Sequence, residues 1–179
     1  IAAEGARAGE IIRSIQSLTR KQDPTFSRID MHSLIHHIIT LSRSELEQRH
    51  ISVDYLLNAD DSFIIGDSVQ IQQVLLNLVM NAVEAMAEVK ERASTITLST
   101  GNADGKVIVE IADTGSGIEP ERLEQIFDSF YSTKPQGMGM GLTISASIIE
   151  RHCGKLSARR REPHGTVFAF ALPQAAQEA

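Results

Sequence analysis

The sequence predicts an α/β (α+β) two-layer domain in which a layer of helices covers a mixed sheet. Three observations predict it. A segment of about 68–91 repeats apolar residues at three- and four-residue spacing, the period of an amphipathic helix. Residues 95–100 and 107–112 alternate apolar and polar, the period of strands, and are close enough to form a hairpin. Helices and hairpin strands do not strictly alternate along the chain, which suits helices gathered on a mixed sheet. With 42% hydrophobic residues, 4% aromatic residues and no Trp, the core is aliphatic.

Residues 1 to about 22 read as a helix, with Ala8, Ile11, Ile12, Ile15 and Leu18 on one stripe. A single stripe cannot bury itself, so this helix needs a partner from elsewhere in the protein or from a second copy. Asp23-Pro24-Thr25 ends it, because the residue before proline is biased away from helix. A second helix covers about 31–49 and turns Leu34, Ile35, Ile38, Leu41 and Leu46 inward. Residues 51–55 alternate as a strand, and Phe63-Ile64-Ile65 is a short apolar run broken by Gly66. Asp67-x-x-Gln70 resembles a capping box and starts the third helix.

That helix carries two stripes. Ile71, Leu75, Leu78, Ala82, Ala85 and Val89 form the core face; Gln70, Gln73, Asn77, Asn81, Glu84 and Glu88 form a polar face beside it. The hairpin that follows is joined by residues 101–105. Pro120 opens a short helix near 120–126, residues 127–140 read as a loop, a helix runs from about 142 to 152, and 166–172 make a last strand. There is no internal repeat.

The charge balance of 17 basic and 23 acidic residues, net −6, argues against nucleic-acid binding. The dense basic run Arg159-Arg160-Arg161 reads as a solvated hairpin loop. The one cysteine, Cys153, excludes an internal disulfide and fits a reducing compartment. No apolar run reaches the length of a membrane span. The chain starts inside a helix without a methionine, so it is expected to be a cytoplasmic piece of something longer, or the cytoplasmic part of a membrane sensor.

Three short motifs carry chemistry: Asn77-x-x-x-Asn81, Asp113-Thr-Gly-Ser-Gly117 and Gly137-Met-Gly-Met-Gly-Leu142. An ionised carboxylate only accepts hydrogen bonds, so Asp113 suits an exocyclic amine such as that of adenine. Gly115 and Gly117 leave room for a flat ring beside it. Alone, the same residues fit a plain Asp-Gly turn after a strand. Asn81 can offer an amide oxygen to Mg²⁺, a hard cation that prefers oxygen; alone it fits a surface asparagine. Gly137, Gly139 and Gly141 precede a helix whose unpaired N–H groups suit phosphate. The spacing matches neither a P-loop nor the dinucleotide fingerprint.

Taken in order, these segments resemble the ATP-binding region of sensor histidine kinases. Residues 77–85 are similar to the N box, 113–118 to the G1 box, Phe127-x-x-Phe130 to the F box and 137–142 to the G2 box. Phe127-Asp-Ser-Phe130-Tyr-Ser-Thr-Lys134 and Asn81-Ala-Val-Glu-Ala-Met86 look most like the oxygen- and nitrogen-sensing type. The resemblance implies the Bergerat fold shared with gyrase, chaperone and mismatch-repair ATPases, a mixed five-stranded sheet covered on one face by helices. It also implies ATP and Mg²⁺ as ligands. Asn81 would bind the metal, Asn77 would lie by the phosphates and Asp113 would accept from the adenine amine. Gly115 and Gly117 would border the base, and Thr166 would reach it through water. Gly137, Gly139, Gly141 and Leu142 would line a mobile lid, with Lys134 as a candidate phosphate contact and Phe127 and Phe130 as anchors or simple core residues.

Two departures refine the expectation. Hydrolytic members carry a glutamate four residues before the metal asparagine. Asn77 stands there, and an amide cannot take a proton from water, so phosphoryl transfer is favoured over hydrolysis. The phosphoacceptor motif, a histidine followed by Glu or Asp and soon by Pro, fits none of His32, His36, His37, His50, His152 or His164. Residues 1–22 are therefore expected to be the second helix of a dimerisation and phosphotransfer hairpin, 23–28 a linker, 29–173 the catalytic domain and 174–179 a tail. The acceptor histidine would lie upstream on the first hairpin helix of a homodimer, and a response-regulator receiver domain would take the phosphoryl group next. The rivals are a gyrase- or chaperone-type ATPase and a degenerate interaction module that has lost its nucleotide.

Overall fold

The computed structural model describes residues 25–87, 89, 92–128, 131 and 139–176. Predicted features within 1–24, and the candidates Phe130, Lys134 and Gly137, lie outside them.

Among the described residues seven strands and three α-helices alternate irregularly, as the element order predicts. Strand β1 (Phe26–Asp30) leads into α1 (Met31–Gln48), then β2 (Ser52–Leu57), β3 (Phe63–Asp67) and α2 (Ser68–Ala85). The hairpin β4 (Thr95–Ala103) and β5 (Lys106–Asp113) is followed by 3-10 turns at Pro120–Arg122 and Gln125–Phe127. Helix α3 (Gly141–Arg151) and the hairpin β6 (Lys155–Arg160) and β7 (Thr166–Pro173) are the last of the described elements. The main sheet has the order β2-β4-β5-β7-β6. Only β2 and β4 pair in parallel, so the sheet is mixed. A second, two-stranded sheet pairs β1 with β3 in antiparallel register, Phe26 opposite Asp67.

The core lies between helices and sheet and is aliphatic, as composition requires. Ile71, Leu75, Leu78, Val79 and Ala82 of α2 are buried against Ile96, Leu98, Val109 and Ile111 of the hairpin. Phe168 and Phe170 of β7 add the buried aromatic rings. Helix α1 begins where the Asp30 carboxylate caps the His32 N–H at 3.0 Å, and α2 where Asp67 caps Gln70 at 3.1 Å, as the capping-box spacing predicts.

Several boundaries differ from the expectation, each for a physical reason. Helix α2 stops at Ala85, not near 91. The Ala85 carbonyl, which would accept the next helical bond, is taken by the N–H of Ser116 at 3.2 Å, and the Val89 N–H turns to Met86. Leu41 is 61% exposed, because the buried face of α1 passes through Ile35, Ile38, Ile39 and Ser42. Strand β1 begins at Phe26, inside the predicted linker. At the other end Ala175 is buried and donates to the Phe63 carbonyl at 2.8 Å, so the first tail residues are part of the domain. Arg159 and Arg160 belong to edge strand β6, not to a loop. Arg159 reaches across β7 to Glu110 at 3.1 Å, and the strand's basic residues discourage edge-to-edge pairing.

His152 joins three elements. Its Nε2 accepts the Asp67 N–H at 3.0 Å, which leaves Nδ1–H to donate to the Ile148 carbonyl at 2.7 Å. Its ring stacks on Phe26 at 5.0 Å, and the residue is 4% exposed. It therefore locks the end of α3 to the start of α2. His152→Ala leaves the Asp67 N–H unpaired and removes the stack, and is expected to destabilise the fold by about 2–4 kcal/mol. A urea midpoint equal to that of the wild type would contradict that role. His36 lies on the exposed side of α1 with its ring against Tyr55, as a helix-face residue should.

Candidate nucleotide site

Helix α2 is the bar on which the candidate site is built. Asn77, Asn81 and Ala85 follow one another at single-turn intervals, so the first and last stand roughly 12 Å apart along the axis. Each end of that row meets a glycine-bearing segment.

At the Ala85 end stands the turn that follows β5. Gly115 packs so closely that a Cβ there would lie 2.7 Å from the Ala85 carbonyl oxygen. Asp113, the last residue of β5, is 1% exposed. Two backbone N–H groups converge on its carboxylate, from Gly115 at 2.7 Å and from Thr166 at 3.2 Å, and both fall on Oδ1. Burial pushes the Asp113 carboxyl above its ordinary range, against the opposing pull of those two N–H groups and of Arg161 and Arg92. Such a carboxylate is held in a single orientation. Gly117 and Gly165 close the far side of the turn, and a Cβ on Gly117 would lie 3.1 Å from the Gly165 oxygen.

At the Asn77 end stands the start of α3. Asn77 Nδ2 donates to Ser145 Oγ at 3.0 Å, and a Cβ on Gly141 would lie 2.6 Å from Asn77 Oδ1. The two helices are therefore registered against each other by this asparagine. Unlike α1 and α2, α3 begins with no side-chain cap, after Met140. Its first-turn N–H groups suit an anionic ligand. Leu142 is partly buried against the core, and the Thr143 hydroxyl donates to the Phe127 carbonyl at 3.0 Å.

Asn81 sits midway and half-buried, one turn from each end. Among the described residues no cluster of three or more His, Cys, Asp or Glu side chains could hold a metal. The Asn81 side chain carries an amide oxygen, the kind of donor that hard divalent cations take.

The structure thus brings Asp113, Gly115 and Thr166 into one hydrogen-bonded group, and Asn77 and Ser145 into another with Gly141 packed against it, with Asn81 between. Sequence reasoning missed Ser145, Arg92, Arg161 and Gly165. Gly165 had a signal in its place before Thr166; Arg92 had none, since a lone arginine after a helix has no characteristic spacing.

Comparison with known proteins identifies the family and the fold. Residues 66–176 match the family described as histidine kinase-, DNA gyrase B- and HSP90-like ATPase. The sensor protein FixL of Bradyrhizobium diazoefficiens is 36% identical over 97% of this chain and 34% of its own length. The C4-dicarboxylate transport sensor protein DctS of Rhodobacter capsulatus is 35% identical over 96% of this chain and 26% of its own length. The chain therefore spans about a third or less of these relatives. Among solved structures, the catalytic domain of histidine kinase ThkA superposes with a TM-score of 0.74 at 33% identity, covering 84% of this chain and 96% of that one. ThkA in complex with response regulator protein TrrA gives 0.80 at 29% identity, covering 97% of this chain and 49% of that one.

Proposed function

This chain belongs to the histidine kinase-, DNA gyrase B- and HSP90-like ATPase family, and from that membership we propose that it is the ATP-binding catalytic domain of a sensor histidine kinase. The observation that carries the reading is the buried Asp113 carboxylate, fixed by two N–H groups at one end of α2. The uncapped start of α3 lies at the other end. The distance between them suits a base and a polyphosphate.

Asp113 accepts from the adenine amine through Oδ2, with Gly115 and Gly117 bordering the ring and Thr166 beside it. The first N–H groups of α3, with Gly137, Gly139, Gly141 and Leu142, enclose the phosphates, and Lys134 contacts them. Asn77 sets α3 against α2, and Asn81 supplies the metal-facing amide oxygen. Mg²⁺, when bound, would neutralise phosphate charge. The γ-phosphoryl group passes in line to a histidine nitrogen: an N–P bond forms, the bond to the bridging oxygen breaks, and ADP leaves. Positioning and electrostatics supply the acceleration.

Residues 1–22 act as the second helix of a dimerisation hairpin, with the acceptor histidine on a helix before them and a homodimer as the working unit. A response-regulator aspartate is the next acceptor, as the pairing of ThkA with TrrA suggests by analogy. The domain works on the cytoplasmic side; no helix among the described residues is long and apolar enough to cross a membrane. An ATPase that passes the group to water is disfavoured, because Asn77 is an amide whose N–H is donated to Ser145.

A calorimetric titration with a non-hydrolysable ATP analogue tests the site. Saturable binding strengthened by Mg²⁺ is expected; no heat at high micromolar nucleotide would leave a degenerate interaction module. With the upstream helix joined on, acid-labile, base-stable phosphate should appear on the protein. The same label on this chain alone would show the acceptor to be misplaced.

A further inference from the structure

Three successive carbonyl oxygens in the turn that carries Asp113 are each bonded to a guanidinium. Asp113 O accepts from Arg161 Nη1 at 3.2 Å, Thr114 O from Arg92 Nε at 2.8 Å, and Gly115 O from Arg92 Nη2 at 2.7 Å. The two arginines are half-buried and approach from different parts of the chain. Arg92 comes from the segment before β4, and Arg161 from the loop between β6 and β7.

These bonds act on particular peptide units. The Thr114 carbonyl and the Gly115 N–H are two ends of one planar peptide. Arg92 holds the carbonyl end, while the N–H end donates to Asp113 Oδ1 at 2.7 Å. The Gly165 carbonyl and the Thr166 N–H form the second such unit. The Arg161 backbone N–H holds that carbonyl at 3.0 Å, while the Thr166 N–H donates to the same Oδ1 at 3.2 Å. Both donors that orient the carboxylate are therefore anchored from behind, the first by the Arg92 guanidinium and the second by a backbone N–H. A donor on the carbonyl also polarises the peptide and strengthens the N–H bond at its other end. The hydroxyl of Thr114 adds to the attachment, donating to the Ala93 carbonyl at 2.9 Å and accepting from the Thr95 N–H at 3.0 Å.

We infer that Arg92 is a positioning residue of the base-reading site, its guanidinium holding from the carbonyl side the peptide whose N–H aims the Asp113 carboxylate at the adenine amine. The inference rests on the nucleotide-binding reading above. The Arg161 guanidinium, at the end of the basic run, braces the Asp113 carbonyl itself at 3.2 Å. The fork of Arg92 spans two neighbouring carbonyls, a geometry a lysine ammonium does not reproduce. The same arginines are the charged groups that face Asp113, and both oppose the upward push of burial on its carboxyl.

The test is an ADP titration of this chain across a range of pH, with thermal melting, for wild type, Arg92→Ala and Arg92→Lys. At neutral pH the alanine variant is expected to bind ADP roughly tenfold more weakly. The acidic limb, where affinity falls as Asp113 takes up a proton, is expected to move to higher pH. Arg92→Lys keeps the charge, so its acidic limb should return towards the wild type while most of the affinity loss remains. A folded alanine variant with wild-type affinity overturns the inference. So does a weakened one whose acidic limb has not moved, since a purely structural role would give that result. If the alanine variant fails to fold, Arg92→Gln, which removes the charge but keeps a donor, is read by the same criteria: wild-type affinity, or weakened affinity with an unmoved limb, overturns the inference, and weakened affinity with the limb moved to higher pH supports it. A wild type that does not bind ADP defeats the nucleotide reading and the inference with it, a different result from a variant that binds as well as the wild type.

Discussion

Asp113→Asn is expected to abolish adenine recognition while leaving the fold intact. The asparagine keeps one oxygen for the N–H groups of Gly115 and Thr166, the two bonds that hold the native side chain. Its amide nitrogen then stands where Oδ2 was, and a donor meets the adenine amine, also a donor. Losing a hydrogen bond to a charged acceptor costs about 1.5–3 kcal/mol, and unpaired groups add to that, so affinity should fall roughly 100-fold or more. Stability should move the other way or not at all. Burial raises the Asp113 carboxyl, so this group's contribution to stability is greatest in acid and is lost as pH rises through its folded value. Asparagine stays neutral, and the nucleotide-free variant should melt at neutral pH no lower than the wild type. ADP titration and thermal melting together check both halves. Affinity close to that of the wild type would remove Asp113 from the site.

Gly165→Ala is expected to do the reverse and damage the fold first. Gly165 has φ of 107°, a backbone conformation L side chains rarely adopt, and a Cβ there would lie 2.0 Å from the Asp113 carbonyl oxygen. Strained backbone and enforced displacement together should cost about 3–5 kcal/mol. The displaced peptide is the one whose N–H reaches Asp113, so nucleotide binding should fail with stability. A urea midpoint within error of the wild type would show that the approach of β7 to Asp113 is looser than this geometry. One variant thus loses ligand but keeps its fold, while the other, at a residue packed against it, loses both.

What the sequence made legible was whatever repeats or caps locally. The core stripe of α2 from Ile71 to Ala82, the Asp67 cap and the alternation of β4 and β5 each arise within a few residues and are observed, whereas Ala85 turns to the site and Val89 lies beyond the helix. The hairpin position of Asp113 follows from them. What stayed hidden was decided by residues distant in sequence. Helix α2 ends at Ala85 because Ser116, thirty-one residues later, takes its carbonyl. Strand β6 offers only Leu156 as a buried residue, too little alternation to announce a strand. Arg92 and Arg161 gain their partners only when the ends of β5 and β7 come together. The candidate ligand-facing residues were readable because their spacing is local; the groups that aim them were not.

The row Asn77, Asn81 and Ala85 on one helix has a further consequence. Fresh and spent nucleotide are identical at the base and differ only at the terminal phosphate. In the proposed site the Ala85 end of the rod therefore would not tell them apart, and would hold either one by the base. In the proposed site, discrimination between a charged and a discharged domain would fall to the Asn77 end, where this asparagine sets the start of α3 against α2. Residence and readiness are thus assigned to opposite ends of one rigid element, and a substitution at either end could alter one without the other.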